Sequence, residues 1–237
     1  MELASGKLIR DEPADGVVRL RISNPQRRGA LDHEILDTLA ETVASLDARC
    51  LVLTGSDKVF SAGYDLGNLE GREFEENAEK LVAHPFHDAI EALEAYRYPV
   101  IAQTGIRVGM PPAKLGLIYS HTGLRKFVDV CGPANTAELF YVGRNVAAER
   151  GLAMGLLNHL VEPGELEATT VSMAAEIAAN APLSLAGNKR ILREIRTHAA
   201  VLPDDVEREL IELRESCFRS DDFAEGVRAF GEKRPAR

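Results

Sequence analysis

The run Cys50-Leu-Val-Leu-Thr54 is apolar until its last residue and is closed by Gly55. Five residues without polar alternation suit a short buried strand. The residues before it agree. Residues 7–22 alternate apolar and polar around Asp15-Gly16, a hairpin signal that ends in a strand from Val17 to Ile22. A turn follows at Asn24-Pro25. Ile35, Leu36, Leu39, Val43 and Leu46 then recur at helical spacing, with Asp32 placed to cap the helix start. The order strand, helix, buried strand predicts an α/β sheet with parallel elements.

Residues 55–72 read as a glycine-bearing loop, and Glu75 to Tyr96 as a long helix with Leu81, Phe86, Ile90 and Leu93 on one face. Pro99-Val-Ile-Ala-Gln103 is the next expected buried strand. The passage Thr104 to Pro112 follows abruptly. Parallel strands need a connection of about a dozen residues or more, so a piece of the pattern is absent here. From Pro133 onward the chain reads as mostly helical, interrupted by one expected strand from Leu157 to Val161. Helical patterns cover 164–179, 183–199, 203–218 and 221–231. The expected division is an α/β core over 1–162 and a helical oligomerisation region over 163–237.

A chain of 237 residues can bury a sizeable core. Its formal net charge of −9 argues against non-specific binding to nucleic acid or an anionic membrane, which need broad positive fields. An anionic small molecule needs only a few local cations. Cys50, Cys131 and Cys217 are scattered, so a reducing cytoplasm is the simplest compartment. The first residues lack the apolar core of a signal peptide, and no apolar stretch is long enough to span a bilayer.

Four segments resemble the crotonase superfamily, the enoyl-CoA hydratase/isomerase group. Phe60-Ser-Ala-Gly-Tyr-Asp-Leu66 is similar to its F-x-A-G-x-D-[LI] loop. Pro99-Val-Ile-Ala matches the strand that leads to its second glycine-rich loop. Gly109-Met-Pro-Pro-Ala-Lys-Leu-Gly-Leu-Ile118 resembles F-G-x-P-E-x-x-L-G-x-x-P. The stretch from Asp222 to Pro235 resembles the terminal E-G-x-x-A-F-x-E-K-R-x-P signature. Any one of these is weak, whereas the four in order are specific.

The resemblance implies a spiral of ββα units with a helical C-terminal trimerisation region, and trimers that can pair into hexamers. It implies an acyl-CoA substrate of fatty acid metabolism, with CoA as the substrate's handle, and no separate cofactor or metal. Two backbone N–H groups would form an oxyanion hole for the thioester enolate; losing one donor of this kind costs roughly 2.7–4 kcal/mol of transition-state stabilisation. Glycine lets backbone approach the substrate with no Cβ in the way. The first donor would be the N–H of Tyr64, and the rival reading is a tight loop in which Gly63 only supplies positive φ.

Ala62, Asp65 and Leu66 match positions lining the CoA channel, with Asp65 as a loop organiser bonding nearby N–H groups. Arg27 and Arg28 lie where the family places a cation against CoA phosphates, which guanidinium suits; of the two, Arg28 is preferred, and solvated surface charge is the alternative. Phe230 and Lys233 match the terminal signature that reaches the nucleotide from a neighbouring subunit.

Hydration of a double bond needs a pair of carboxylates. The resemblance places one of them after Pro111, where this chain has Pro112. The nearest acids in sequence, Asp129 and Glu138, belong to other elements. The other carboxylate, with the second oxyanion donor, belongs to a G-G-G-x-E loop after the Val-Ile-Ala strand, and Gln103 runs directly into Thr104 instead. Either the segment is deleted, or a stretch of roughly 20–30 residues, the size of a βαβ piece, is left out between these two residues. The matching flanks favour the second.

Tyr119 and His121 are candidate substitute acids, with core packing and a helix-start polar group as their plainer readings. His84 and His87 form an H-x-x-H pair that lacks a third zinc ligand at a telling spacing, and His159 reads as a polar packing residue. The expected activity is that of an enoyl-CoA hydratase-like lyase. The alternatives are an isomerase, a thioester hydrolase, or a catalytically silent acyl-CoA binder.

Overall fold

The computed structural model describes residues 1–56, 59–65, 84–102, 107–162, 164–198 and 204–234. Their contacts divide them between two compact units, each described by itself.

The first unit is built on a five-stranded sheet in the order β1 (Glu2–Leu3), β2 (Leu8–Ala14), β3 (Val17–Ile22), β4 (Cys50–Thr54) and β5 (Val100–Ala102). The first three strands are antiparallel. From β3 onward the pairing is parallel, Val17 opposite Cys50 and Leu51 opposite Val100. The expected hairpin is present, with Gly16 at φ +69 in its turn. Helix α1 (His33–Ala44) starts where Asp32 Oδ1 accepts from the Ile35 N–H at 3.0 Å, which satisfies one of the donors a helix start leaves open.

Strand residues alternate faces. Val18, Leu20, Ile22, Leu51 and Leu53 pack with Ile35, Leu36, Leu39 and Val43 of α1 and with Ala89 of α2 (His84–Ala95). Val17, Cys50 and Val52 face the other way, onto Ala174 and Ala178 of α5 (Leu166–Ala179). Covered on both sides, all five residues of β4 are buried, as an apolar run without alternation requires. Arg19 points to the α5 side, where apolar packing would otherwise be expected. It holds Asp11 through two bonds and Glu167 at 2.6 Å, joining the hairpin to a helix 148 residues away. Helix α6 (Pro182–His198) adds Leu185 and Ala186 to the α1 side.

The strand expected over 99–103 is β5, and it is half-buried rather than buried, with Ala102 exposed. It lies at one margin of the described sheet, so only β4 flanks it. The part of the expected helix before His84 lies outside the described residues.

The second unit contains a two-stranded ribbon, β6 (Arg107–Val108) with β7 (Val146–Ala147), and helices α3 (His121–Val142), α4 (Ala148–Ala153), α7 (Asp204–Phe218) and α8 (Asp221–Gly231). Helix α3 begins earlier than the expected helical onset at Pro133 and kinks there, with Gly132 at φ 75 and ψ 165, because proline cannot donate to the preceding turn. The strand expected over Leu157–Val161 is not formed. Those residues are irregular and largely exposed, and β6 pairs with Val146–Ala147 instead. Periodicity alone cannot distinguish a short apolar strand from an extended connection.

Candidate active site

Two loops leave the carboxyl ends of neighbouring strands β3 and β4. In the first, Pro25–Arg27 forms a 3-10 turn, Asn24 Nδ2 donates to the Ala30 carbonyl at 2.9 Å, and the Gly29 N–H donates to Asn24 O at 2.7 Å. In the second, a Cβ on Gly55 would lie 2.3 Å from the carbonyl oxygens of Val59 and Phe60. The chain can fold back over that position because no side chain is there. A Cβ on Gly29 would approach Phe60 O to 3.0 Å, so the two loops touch backbone to backbone.

Hydrogen bonds join them. Ser61 Oγ donates to Gly29 O at 2.8 Å and accepts from the Gly63 N–H at 3.0 Å. The Leu31 N–H donates to Gly63 O at 2.8 Å, and the Asp65 N–H donates to Leu31 O at 2.9 Å. A trans peptide is planar, with its C=O and N–H pointing in opposite directions. The Gly63 carbonyl faces Leu31, so the Tyr64 N–H of the same peptide faces away from it. That N–H has no acceptor among the described residues. Gly63 takes φ +91, and a Cβ built on it would meet no described residue within 4 Å. Among the described residues the result is a fixed donor left unspent, the geometry in which a main-chain N–H can bind a developing oxyanion.

Three other sequence candidates lie on the same two loops. Ala62 is exposed. The Asp65 carboxylate lies 3.9 Å from Arg27 Nη1, so its loop-holding contact includes an arginine side chain. Arg28 has left-handed φ 55, is exposed, and pairs with no carboxylate among the described residues. The Tyr64 side chain turns to the core. Its hydroxyl lies 2.8 Å from His33 Nε2, the rings meet edge to face at 5.9 Å, and burial, followed by the charges of Asp65 and Asp32, pushes the phenol up to about 12. Leu66 and the Gln103–Thr104 junction lie outside the described residues.

In the second unit, Pro112 is buried and opens the 3-10 turn Pro112–Leu115. Tyr119 packs between Phe127 and Phe140, with ring centroids 6.5 and 5.2 Å away, and burial raises its hydroxyl pKa. His121 is the first residue of α3, beside the Ser120 cap. Asp129 pairs with Arg125 at 2.8 Å and Glu138 with Arg150 at 2.7 Å, so both acids are engaged on a helix surface. His159 is exposed in an irregular segment, which corrects its reading as a packing residue in a strand. In the first unit, His87 Nε2 lies 2.9 Å from Glu91. The His84 side chain is outside the description.

The terminal signature has structural duties that the motif alone did not reveal. A Cβ on Gly226 would sit 2.3 Å from Leu115 O, so α8 rests directly on the Pro112–Leu115 turn. Glu225 holds Arg234 at 2.6 Å. Lys233, at φ 55, is exposed beside that pair, and the Phe230 side chain is not described. Sequence reasoning missed Leu31, His33 and Ser61. Ser61 occupies the variable position of its motif, and nothing in the order of residues links 31 or 33 to 64.

The sequence profile described as enoyl-CoA hydratase/isomerase matches residues 12–106 and 103–237, breaking where the second glycine-rich loop was expected. Methylmalonyl-CoA decarboxylase of Escherichia coli (strain K12) is 30% identical over 233 residues, covering 88% of this chain and 89% of that protein. Short-chain-enoyl-CoA hydratase of Clostridium acetobutylicum is 25% identical, covering 92% of each. A solved structure of methylmalonyl-CoA decarboxylase with 2-nitronate-propionyl-CoA superposes with a TM-score of 0.86 at 25% identity, over 98% of this chain and 97% of its own. The α/β architecture is therefore the crotonase fold, and the chain belongs to the enoyl-CoA hydratase/isomerase family.

Proposed function

We propose that this family member is an acyl-CoA enzyme whose chemistry runs through a thioester enolate held at the Tyr64 N–H. The observation that carries the reading is the Gly63–Tyr64 peptide: its carbonyl is fixed by Leu31, and its N–H is aimed away with no acceptor among the described residues. Ala62, Asp65 and Leu66 border the CoA channel, while Arg28 and, from a neighbouring subunit, Phe230 and Lys233 meet the nucleotide. CoA is part of the substrate, and no separate cofactor takes part. Trimers or hexamers in the cytoplasm complete the proposal.

Hydratase- or isomerase-type conversion of an enoyl-CoA is the first reading. A second is favoured by Pro112, which is buried where the resemblance puts a carboxylate, and by the relative that decarboxylates. In decarboxylation of a 2-carboxyacyl-CoA, the C–C bond electrons pass into the thioester as CO2 leaves. The enolate then takes a proton at its α-carbon. That sequence demands an oxyanion donor but no base to begin it.

Incubation with crotonyl-CoA and, separately, methylmalonyl-CoA distinguishes the two. Loss of the enoyl absorbance supports hydration, and CO2 release supports decarboxylation. Binding of both with no turnover supports a silent binder. Failure to bind propionyl-CoA at all would remove the acyl-CoA reading.

A further inference from the structure

The stretch Leu31–His33 grips residue 64 twice. Leu31 holds the backbone on either side of Tyr64, through Gly63 O and the Asp65 N–H. His33 reaches the Tyr64 hydroxyl, 2.8 Å from Nε2, with either partner able to donate according to the imidazole tautomer. His33 itself starts from a fixed place. It is the first residue of α1, between Asp32, whose Oδ1 caps the helix, and Glu34. Lys7 Nζ binds both carboxylates, at 2.5 and 2.6 Å.

We propose that His33 is a positioning residue for the enolate donor: its imidazole anchors the Tyr64 ring and, through it, the peptide carrying the Tyr64 N–H. The inference rests on the reading of that N–H as the oxyanion donor. Gly63 offers the peptide no side chain to pack, and its φ of +91 lies in a region where glycine moves freely. Beyond the Leu31 clamp and the Ser61 bond to the Gly63 N–H, the orientation of this peptide therefore depends on the side chain that follows it. That side chain is half-buried, and its polar end meets His33. A donor turned well off the oxyanion loses most to that charge and little to the rest of the ligand, because hydrogen bonds weaken steeply once the N–H···O angle falls below about 120°.

The test is calorimetric titration of the full chain with CoA, propionyl-CoA and a nitronate analogue of propionyl-CoA, which carries the enolate's charge. In the wild type the nitronate binds more tightly than propionyl-CoA. His33→Leu and Tyr64→Phe each lower that preference by about tenfold, the scale of one hydrogen bond, and leave CoA affinity unchanged. The double variant loses no more than either single one. His33→Gln, which keeps a polar partner for the hydroxyl, recovers most of the preference. Folded variants that keep the wild-type preference, or that lose CoA affinity in step with it, overturn the inference. If His33→Leu does not fold, Tyr64→Phe decides. A wild type that shows no nitronate preference refutes the reading of the Tyr64 N–H, and this inference with it.

Discussion

Ser61 and Gly29 join the loops that follow β3 and β4: the Ser61 hydroxyl donates to the Gly29 carbonyl at 2.8 Å while accepting from the Gly63 N–H at 3.0 Å. One side chain thus satisfies a group in each loop. Ser61→Ala leaves both without it. The expected loss is about 1–2 kcal/mol in urea unfolding, with an unchanged m-value and a weaker preference for the nitronate ligand.

Gly55 and Gly63 separate steric from conformational need. A Cβ at 55 would be 2.3 Å from two backbone oxygens that cannot move without the loop. Gly55→Ala should destabilise by about 3 kcal/mol or more. Gly63→Ala meets no described residue within 4 Å but must adopt φ +91, a strain of about 1–3 kcal/mol. Thermal unfolding of the two variants should rank them in that order. Equal losses would contradict the geometry.

Lys189 stands under burial, which lowers its pKa to about 8 from the ordinary 10.5, while its Nζ donates to the carbonyls of Leu93 at 3.1 Å and Tyr98 at 2.8 Å. A folded value below the unfolded one means the unfolded chain binds more protons between the two. Stability from this group therefore rises with pH across about 8–10.5. The Cys50 thiol, pushed by burial up to about 11 from the ordinary 9.0, acts in the opposite sense above about 9, and the raised tyrosines Tyr64 and Tyr96, near 12, do so above about 10. Urea midpoints should climb from about pH 8 to pH 9 in the wild type, below the range where the Cys50 thiol offsets Lys189. In Lys189→Met that climb should vanish, on top of a loss of about 1–3 kcal/mol for the two carbonyls left without the ammonium.

Tyr119 offers a negative control for the acid–base question. Its ring is enclosed by Phe127 and Phe140, and burial keeps its hydroxyl protonated. Tyr119→Phe should retain turnover of whichever acyl-CoA proves to be the substrate. A large drop in kcat with unchanged KM would restore this hydroxyl as a proton donor.

The apolar run at Cys50–Thr54 and the period of α1 made the parallel sheet and its covering helix legible, because burial on both faces of a strand and on one face of a helix leaves different spacings in the sequence. The cap at Asp32 was legible for the same local reason: the side chain and the N–H it serves are three residues apart. Leu157–Val161 was misread because a strand exists only if a partner edge is available, and β6 pairs with Val146–Ala147. No local pattern reports that choice.

The sequence by itself determined the family, through four short motifs in order. It could not say which N–H stays unspent. That was decided by the Leu31–Gly63 bond, because the direction of a peptide N–H follows from what its own carbonyl meets, and that partner lies 32 residues away in another loop. The clasp of Arg19 on Glu167 and the His33–Tyr64 pair belong to the same class. Each is set by side chains that become neighbours only when separate elements pack, and no spacing along the chain encodes that distance.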